Sequence, residues 1–247
     1  MSRFKPGGID GVHGPILDPT AIQALDRHLI EDLGIPGIVL MEHAAIGVAS
    51  LVRRIASEHG RNRVIVLCGT GNNGGDGWAV ARLLHREFDL LVVSAGDSRP
   101  GSDAAVNASA ARGLQIDSIG IAESRTIEKL LSESVVVDAL LGVGLDRPLQ
   151  GDLAELVGMV GRSEAVVVAI DIPSGLDATT GIPTGPVIKA HATATMAAFK
   201  PGLVAIGADS ITGPITIVDI GAPRTALERF LHVARSPRTG DDVDSSI

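Results

Sequence analysis

Continuous apolar runs alternate with segments of helical periodicity, and this alternation constrains the fold more than any other feature of the chain. The runs RVIVLCG, DLLVVSAG, VVVDALLG and AVVVAID do not alternate polar and apolar residues, which is typical of strands covered on both faces. Amphipathic stretches such as GWAVARLLHRE and DLAELVGMVGRS lie between them. Strands that alternate with helices form βαβ units, so the sequence predicts a mostly parallel, Rossmann-like sheet in a three-layer α/β/α sandwich.

Two helices are expected before the first strand, and two more strands near the other end of the chain. Asp18 or Thr20 can cap a first helix that extends to about Leu33, because both residue types accept hydrogen bonds from free backbone N–H groups. A second helix is expected from roughly residue 37 to 59. The later strands are expected at ATATMAAF and ITIVDIGA. We divide the chain into an irregular arm (1–16), one domain (17–235) and a disordered acidic tail (236–247).

Composition excludes several classes of function. A net charge of −8 argues against a nucleic-acid partner, whose footprint should be basic. The absence of tyrosine excludes any mechanism that needs a catalytic Tyr. The seven histidines form neither an HExxH motif nor a Cys/His cluster, so a zinc site is not expected. The single cysteine, Cys68, suits a reducing compartment, and no apolar run is long enough to cross a membrane, so we expect a cytoplasmic protein.

The first strand is followed by the glycine-rich segment GTGNNGGDG, residues 69–77. Glycines allow a backbone to approach a ligand closely, and the N-terminus of a following helix attracts phosphate. The pattern continues into GDG, so we expect the helix to begin only after it and the loop to be longer than a Rossmann turn. In the alternative interpretation, Asp76 merely caps the helix. A literal GxGxxG with Asp97 after the next strand also leaves an NAD(P)-dependent oxidoreductase as an alternative function.

Charged residues follow three later strands, where ligands of such folds bind. Asp138 and Asp171 each end a very apolar run, so each must be paired, hydrogen-bonded or metal-bound. Burial could raise the pKa of Asp171 and so suit it to acid–base catalysis. Alternatively, Asp171 could cap the following loop by accepting hydrogen bonds from its backbone N–H groups. Arg147 could bind a pyrophosphate or form a surface ion pair. Lys200 could meet a phosphate, pair with an aspartate, or be a solvated lysine before a Pro-Gly turn.

The motifs GIPGIVLMEHAA, GTGNNGGDGWAVARLL, VVDALLGVGLDRPLQG, AIDIPSGLD and FKPGL together resemble the NAD(P)H-hydrate epimerase family, the YjeF N-terminal domain. The resemblance covers about residues 18–222. It implies a three-layer sandwich that forms a homodimer and interconverts the R and S epimers of NADHX and NADPHX, the hydrated forms of the reduced nicotinamide cofactors. It also implies a functional partner, an S-specific NAD(P)H-hydrate dehydratase, which we expect to be a separate protein.

The resemblance also implies roles for individual residues. Asp171 is expected to be the catalytic acid–base. A potassium ion is expected on Asn73, Asp138 and Ser174. The residues expected to bind the substrate are Asn72, Asn73, Gly74, Gly75, Asp76, Gly142, Val143, Gly144, Leu145, Asp146, Arg147, Pro148, Asp171 and Lys200. A non-catalytic scaffold of the same fold is a further alternative, although such a module should have lost the glycine-rich segment and the acid.

Overall fold

The computed structural model describes residues 14–144 and 148–233. Most of the predicted arm, all of the predicted tail, and residues 145–147 of the substrate loop therefore lie outside the described residues. The strands are β1 Arg63–Cys68, β2 Asp89–Ser94, β3 Ser118–Gly120, β4 Ser134–Ala139, β5 Val166–Ile170, β6 Ala192–Met196 and β7 Ile215–Val218. They form one sheet in the order β3-β2-β1-β4-β5-β6-β7, and every neighbouring pair is parallel.

Helices connect the strands and cover both faces of the sheet. The α-helices are α1 Pro19–Arg27, α2 Gly37–Glu58, α3 Asn72–Leu84, α4 Asp103–Gly113, α5 Gly151–Arg162, α6 Asp209–Thr212 and α7 Arg224–Val233. A π-helical turn, His28–Asp32, continues α1, and 3-10 helices span Ile121–Glu133 and Pro201–Val204. No helix in the described part of the chain is long and apolar enough to cross a membrane.

The predicted three-layer sandwich is confirmed by the way successive strand residues alternate between two cores. Val64 and Val66 of β1 pack with α2, α3 and α4 on one face. Ile65 and Leu67 pack with α5 and the 3-10 helix on the other. Each fully buried side chain of this kind contributes roughly 1.5–3 kcal/mol to folding, so a strand with two buried faces must be apolar at every position.

Of the two predicted caps of the first helix, Asp18 is the one that the structure shows. The Asp18 carboxylate accepts a hydrogen bond from the Ala21 amide at 2.8 Å, which satisfies one of the free N–H groups of α1. Thr20 lies inside the helix and is exposed. The chain stays helical to Asp32 only because α1 passes into the π-helical turn.

The expectation for the start of α3 was wrong. The helix begins at Asn72, so most of the segment predicted to be a long loop forms its first turns. Its glycines are needed for packing: a Cβ on Gly74 would lie 1.9 Å from the Gly69 carbonyl oxygen. A Cβ on Gly77 would lie 2.6 Å from the Ala139 Cβ atom of β4. These glycines bring the N-terminus of α3 against the ends of β1 and β4, which a bulkier sequence could not do.

The sheet order reverses between β1 and β4, since the chain builds outward from β1 to β3 and then returns to add β4 on its other side. At such a switch point the connections leave in opposite directions, and a crevice opens at the carboxyl ends of the strands. Gly69, directly after β1, donates its amide to the Ala139 carbonyl at the end of β4 at 2.9 Å, which joins the two strands at that point. The fold therefore predicts a ligand site at this edge of the sheet.

Candidate active site

A cavity of about 740 Å³ lies at the carboxyl ends of the strands, beside the switch point. Its wall combines residues from α1, from the start of α3, and from the segments that follow β1, β4, β5 and β6. The predicted site residues that line it are Asn72, Asn73, Asp76, Gly142, Val143, Gly144, Asp171 and Lys200. Sequence positions far apart in the chain are thus brought to one cavity.

The remaining predicted site residues do not line the cavity or lie outside the described residues. Gly74 and Gly75 are buried in α3 and do not line the cavity. Asp138 and Ser174 are buried beneath it. Pro148 is exposed and is not part of the wall. Leu145, Asp146 and Arg147 lie outside the described residues, so both interpretations of Arg147 stay predictions.

The N-terminus of α3 forms one end of the cavity wall. Gly71 occupies the capping position, and no side chain caps the helix, which contradicts the alternative in which Asp76 does so. The first N–H groups of a helix have no partner inside the helix, and the helix dipole adds a partial positive charge there. An anionic group of a ligand can therefore bind next to Asn72 and Asn73.

A network of buried oxygens lies below this helix end. The Asp138 carboxylate accepts hydrogen bonds from the Ser174 amide at 2.7 Å and from the Ser174 hydroxyl at 2.6 Å. Burial raises the pKa of Asp138 to about 6, although the hydrogen bonds from Ser174 and Leu140 act in the opposite direction. The Ser174 Oγ atom also accepts a hydrogen bond from the Leu141 amide at 3.1 Å.

Asn73 completes this network and leaves one atom unsatisfied. Its Nδ2 atom donates to the Leu141 carbonyl at 2.8 Å, which fixes the side-chain amide. Its Oδ1 atom is buried and has no hydrogen-bond partner within the described residues. A buried oxygen without a partner is costly unless an ion or a water fills the gap. Together with Asp138 and Ser174 it offers the oxygen ligands that hard cations bind.

Asp171 and Lys200 form an ion pair at the carboxyl ends of β5 and β6. The Lys200 Nζ atom donates a short hydrogen bond to the Asp171 carboxylate, and it also donates to the Thr195 hydroxyl at 2.9 Å and the Met196 carbonyl at 3.1 Å. Lys200 is completely buried, so the interpretation as a solvated lysine is wrong and the interpretation as a partner of an aspartate is confirmed. Asp171 has a left-handed backbone with φ of +67°, a strained conformation for a residue with a side chain.

Besides the exposed Asp152, two partly buried carboxyl groups face the same cavity. Asp76 and Asp26 line it, and neither has a hydrogen bond or ion pair within the described residues. Burial raises the pKa of Asp76 well above its usual value, and the negative charges of Asp171 and Asp26 add to this effect. Burial also raises the pKa of Asp26. Both groups therefore hold a proton more readily than an ordinary aspartate.

Asp26 was not among the predicted site residues. The sequence contains a signal for it, since Asp26 stands four residues after Ile22 and three before Leu29, on the apolar face of an amphipathic helix. A carboxylate in that position must face either the core or a cavity.

Asp97, on which the oxidoreductase alternative depends, lies away from the cavity. Its side chain is largely exposed and pairs with Arg112 at 3.0 Å. The described residues also contain no group of three or more His, Cys, Asp or Glu side chains that could hold a metal ion. The cavity thus offers carboxylates, amides and one lysine for chemistry.

Comparison with known proteins identifies the family. Residues 37–202 match the model of the YjeF-related protein N-terminus. An NAD(P)H-hydrate epimerase of Rhodopirellula baltica is 38% identical over 214 residues, which are 85% of either chain. An NAD(P)H-hydrate epimerase of Weissella koreensis is 36% identical over 81% of this chain and 88% of its own.

One further relative is longer than this chain, and one solved structure shares its fold. A bifunctional NAD(P)H-hydrate repair enzyme of Salinibacter ruber is 39% identical over 87% of this chain but only 42% of its own length. The crystal structure of the yeast protein YNL200c shares the fold with a TM-score of 0.75 at 23% identity, covering 87% of this chain and 93% of that one. On the match of its residues 37–202 and its similarity to full-length relatives, this chain belongs to the YjeF-related N-terminus family.

Proposed function

We propose that the chain is an NAD(P)H-hydrate epimerase, an isomerase that interconverts the R and S epimers of hydrated NADH or NADPH. The observation that carries the proposal is the buried Asp171–Lys200 ion pair in the wall of the cavity. Residues from the sequence motifs that resemble this family line the same cavity. Its relatives that match over most of their own length bear the same name. The site residues named below are part of the proposal.

The proposed reaction needs an acid–base group and a way to hold phosphate. The epimerising carbon, C6 of the hydrated ring, carries a hydroxyl and is bonded to the ring nitrogen, whose lone pair stabilises an iminium ion when the hydroxyl leaves. Asp171 protonates the departing hydroxyl in one direction and takes a proton from the entering water in the other. The free N–H groups beside Asn72 and Asn73 bind the phosphate region of the substrate.

Potassium is the proposed cofactor, held by Asn73, Asp138 and Ser174. The unpartnered Asn73 Oδ1 atom supports this assignment, because a cation would satisfy it. A bound cation supplies positive charge close to the helix end that receives the anionic substrate. The side chains of Asn73 and Ser174 orient the donor oxygens through their bonds to Leu141.

The proposed activity can be measured with an S-specific NAD(P)H-hydrate dehydratase as the coupling enzyme. When R-NADHX is the substrate, we expect this protein to accelerate its consumption well above the spontaneous rate of epimerisation. Heat-denatured protein is the control for contaminating catalysts. Consumption of R-NADHX at the spontaneous rate would contradict the epimerase and favour the non-catalytic scaffold. The same assay with R-NADPHX measures the preference between the two substrates.

The potassium site has a test that does not depend on activity. A cation that binds only the folded state raises the free energy of unfolding by mass action, by about 2.7 kcal/mol at a hundredfold excess over Kd, and so raises the thermal midpoint. We expect KCl to raise the midpoint more than NaCl at equal ionic strength, and Asn73→Ala to abolish the difference. Asn62→Ala, an exposed asparagine before β1, is the matched control and should keep it. Equal midpoints in both salts for the wild-type protein would contradict the site.

We also propose a homodimer, a cytoplasmic location and functional coupling to a separate dehydratase. Val39 and Ile46 support the homodimer, since they are exposed apolar residues seven apart on one face of α2. Cys68 is a free, buried cysteine, which agrees with a reducing compartment such as the cytoplasm. The Salinibacter ruber relative, which is named a bifunctional NAD(P)H-hydrate repair enzyme and is longer than this chain, supports the coupling.

A further inference from the structure

Asp26 is a partly buried charged residue of the cavity wall to which the proposed mechanism gives no role. It lies in the last turn of α1, and the same helix buries Ile22 and Leu25 against the core formed by α2, α7 and the residues after β6. This packing holds the carboxyl group in the wall, where no hydrogen bond or ion pair from the described residues neutralises it. A structural carboxylate in such a place would have partners.

The charges around Asp26 come from four different elements. Lys200 after β6 and Asp171 after β5 act on it electrostatically, and Asp26 in turn acts on Asp76 of α3. Asp103 of α4 faces it across a smaller adjoining cavity of about 140 Å³. The group therefore lies close to the ion pair of the proposed acid–base residue and among other carboxylates. Burial, with the charge of Asp171, raises its pKa, while Lys200 lowers it.

Epimerisation requires proton transfer on both faces of the ring. The hydroxyl leaves C6 from one face and water returns on the other, so each face needs its own proton donor or acceptor. Asp171 cannot serve both, because Lys200, Thr195 and the Met196 amide all donate to its Oδ1 atom and hold it in place. The second group must come from another element of the wall.

We propose that Asp26 is the second acid–base residue of the epimerisation, serving the face of the ring that Asp171 does not reach. The inference rests on the proposed epimerase function. The nearby Asp171 carboxylate favours the protonated form of Asp26, since two like charges at one site are disfavoured.

The proton balance of the reaction is complete with these two residues. The Asp26 carboxyl donates its proton to the hydroxyl on C6, the C6–O bond breaks with its electron pair on oxygen, and water is released. The ring nitrogen lone pair forms the C=N bond of the iminium ion. Water then attacks C6 from the other face, the C=N electron pair returns to nitrogen, and the Asp171 carboxylate accepts the released proton. The reverse reaction exchanges the two roles, and exchange with solvent resets them.

The test compares three substitutions in the dehydratase-coupled assay. We expect Asp26→Asn to lower kcat by about 10²-fold or more, the range in which one acid–base group contributes, with KM within about threefold of wild type. Asp26→Glu keeps the carboxyl and should retain more activity than Asp26→Asn. Asp26→Ala should be as slow as Asp26→Asn and should recover when formate is added, because formate can occupy the space of the missing carboxyl.

The controls separate this inference from the proposed function. Glu31→Gln removes one negative charge from the exposed turn after α1 and should leave kcat unchanged. Thermal unfolding of each variant, in particular Asp26→Asn, establishes that it is folded at the assay temperature. A wild-type protein that does not accelerate epimerisation would overturn the proposed function itself. An active wild type whose Asp26→Asn variant keeps kcat, changes only KM, or shows a loss that formate does not restore in Asp26→Ala would overturn the role of Asp26.

Discussion

Asp171→Asn is expected to lower kcat for R-NADHX epimerisation by about 10²–10⁴-fold, the range of a general acid–base group. Asparagine keeps the volume and one oxygen of the side chain but can no longer exchange a proton. KM should change little, because the phosphate-binding end of the cavity lies at α3 and is untouched. The measurement is the steady-state rate in the dehydratase-coupled assay at saturating substrate.

The same change affects stability, and a second variant separates the two effects. Asp171→Asn leaves the fully buried Lys200 ammonium without its counter-charge, and breaking a buried ion pair costs roughly 3–5 kcal/mol. The double variant Asp171→Asn/Lys200→Met removes both charges and should recover most of that free energy of unfolding, but not the rate. Asp97→Asn, an exposed aspartate after β2, is the matched control and should behave as wild type. A double variant that is both stable and fully active would rule out Asp171 as the acid–base residue.

The layers of the fold follow from the sequence, but the length of α3 does not. Each apolar run becomes a strand because both of its faces are buried, as Val64 to Leu67 in β1 show. For α3 the local signal is misleading, since glycines disfavour a helix by about 1 kcal/mol each relative to alanine. Gly74, Gly75 and Gly77 lie in the helix nonetheless, and atoms from Gly69, Ala104 and Ala139 leave no space there for a side chain, so close packing accounts for the glycines. The contacts with Ala104 and Ala139 join residues distant in sequence, so no local pattern contains them.

The site was predictable where its residues follow strands, including those at the start of α3 after β1, and not where the helix before the sheet supplies them. Asp171 ends an apolar run, so a functional role could be inferred from burial of a charge. The state of Lys200 could not be, because a lysine before a Pro-Gly turn is equally consistent with solvent and with a buried pair. Only the packing of β5 beside β6 brings its Nζ atom to Asp171. Asp26 belongs to a helix that precedes the sheet, and the charges of Asp171 and Lys200 that act on it lie more than a hundred residues later in the chain.

Gly74→Ala is expected to have the largest effect on stability, lowering the free energy of unfolding by about 4 kcal/mol or more, as overpacking against fixed backbone does in its most severe cases. The added Cβ would lie 1.9 Å from the Gly69 carbonyl oxygen and 2.5 Å from its carbonyl carbon. Neither atom can rotate away as a side chain could. The first turn of α3 must therefore move away from the end of β1, and urea denaturation measures the cost.

The displacement has a functional consequence that distinguishes it from a general loss of stability. The first turn of α3 carries Asn72 and Asn73 and the free N–H groups proposed to bind phosphate, so the folded fraction of Gly74→Ala should show a raised KM for R-NADHX. Gly113→Ala is the matched control: it is also a helical glycine, but an added Cβ there would meet no atom within 4 Å. That variant should be neutral or more stable by up to about 1 kcal/mol, because alanine restricts the unfolded chain. If Gly74→Ala proves as stable and as active as Gly113→Ala, close packing of α3 against the end of β1 does not position the phosphate end of this cavity.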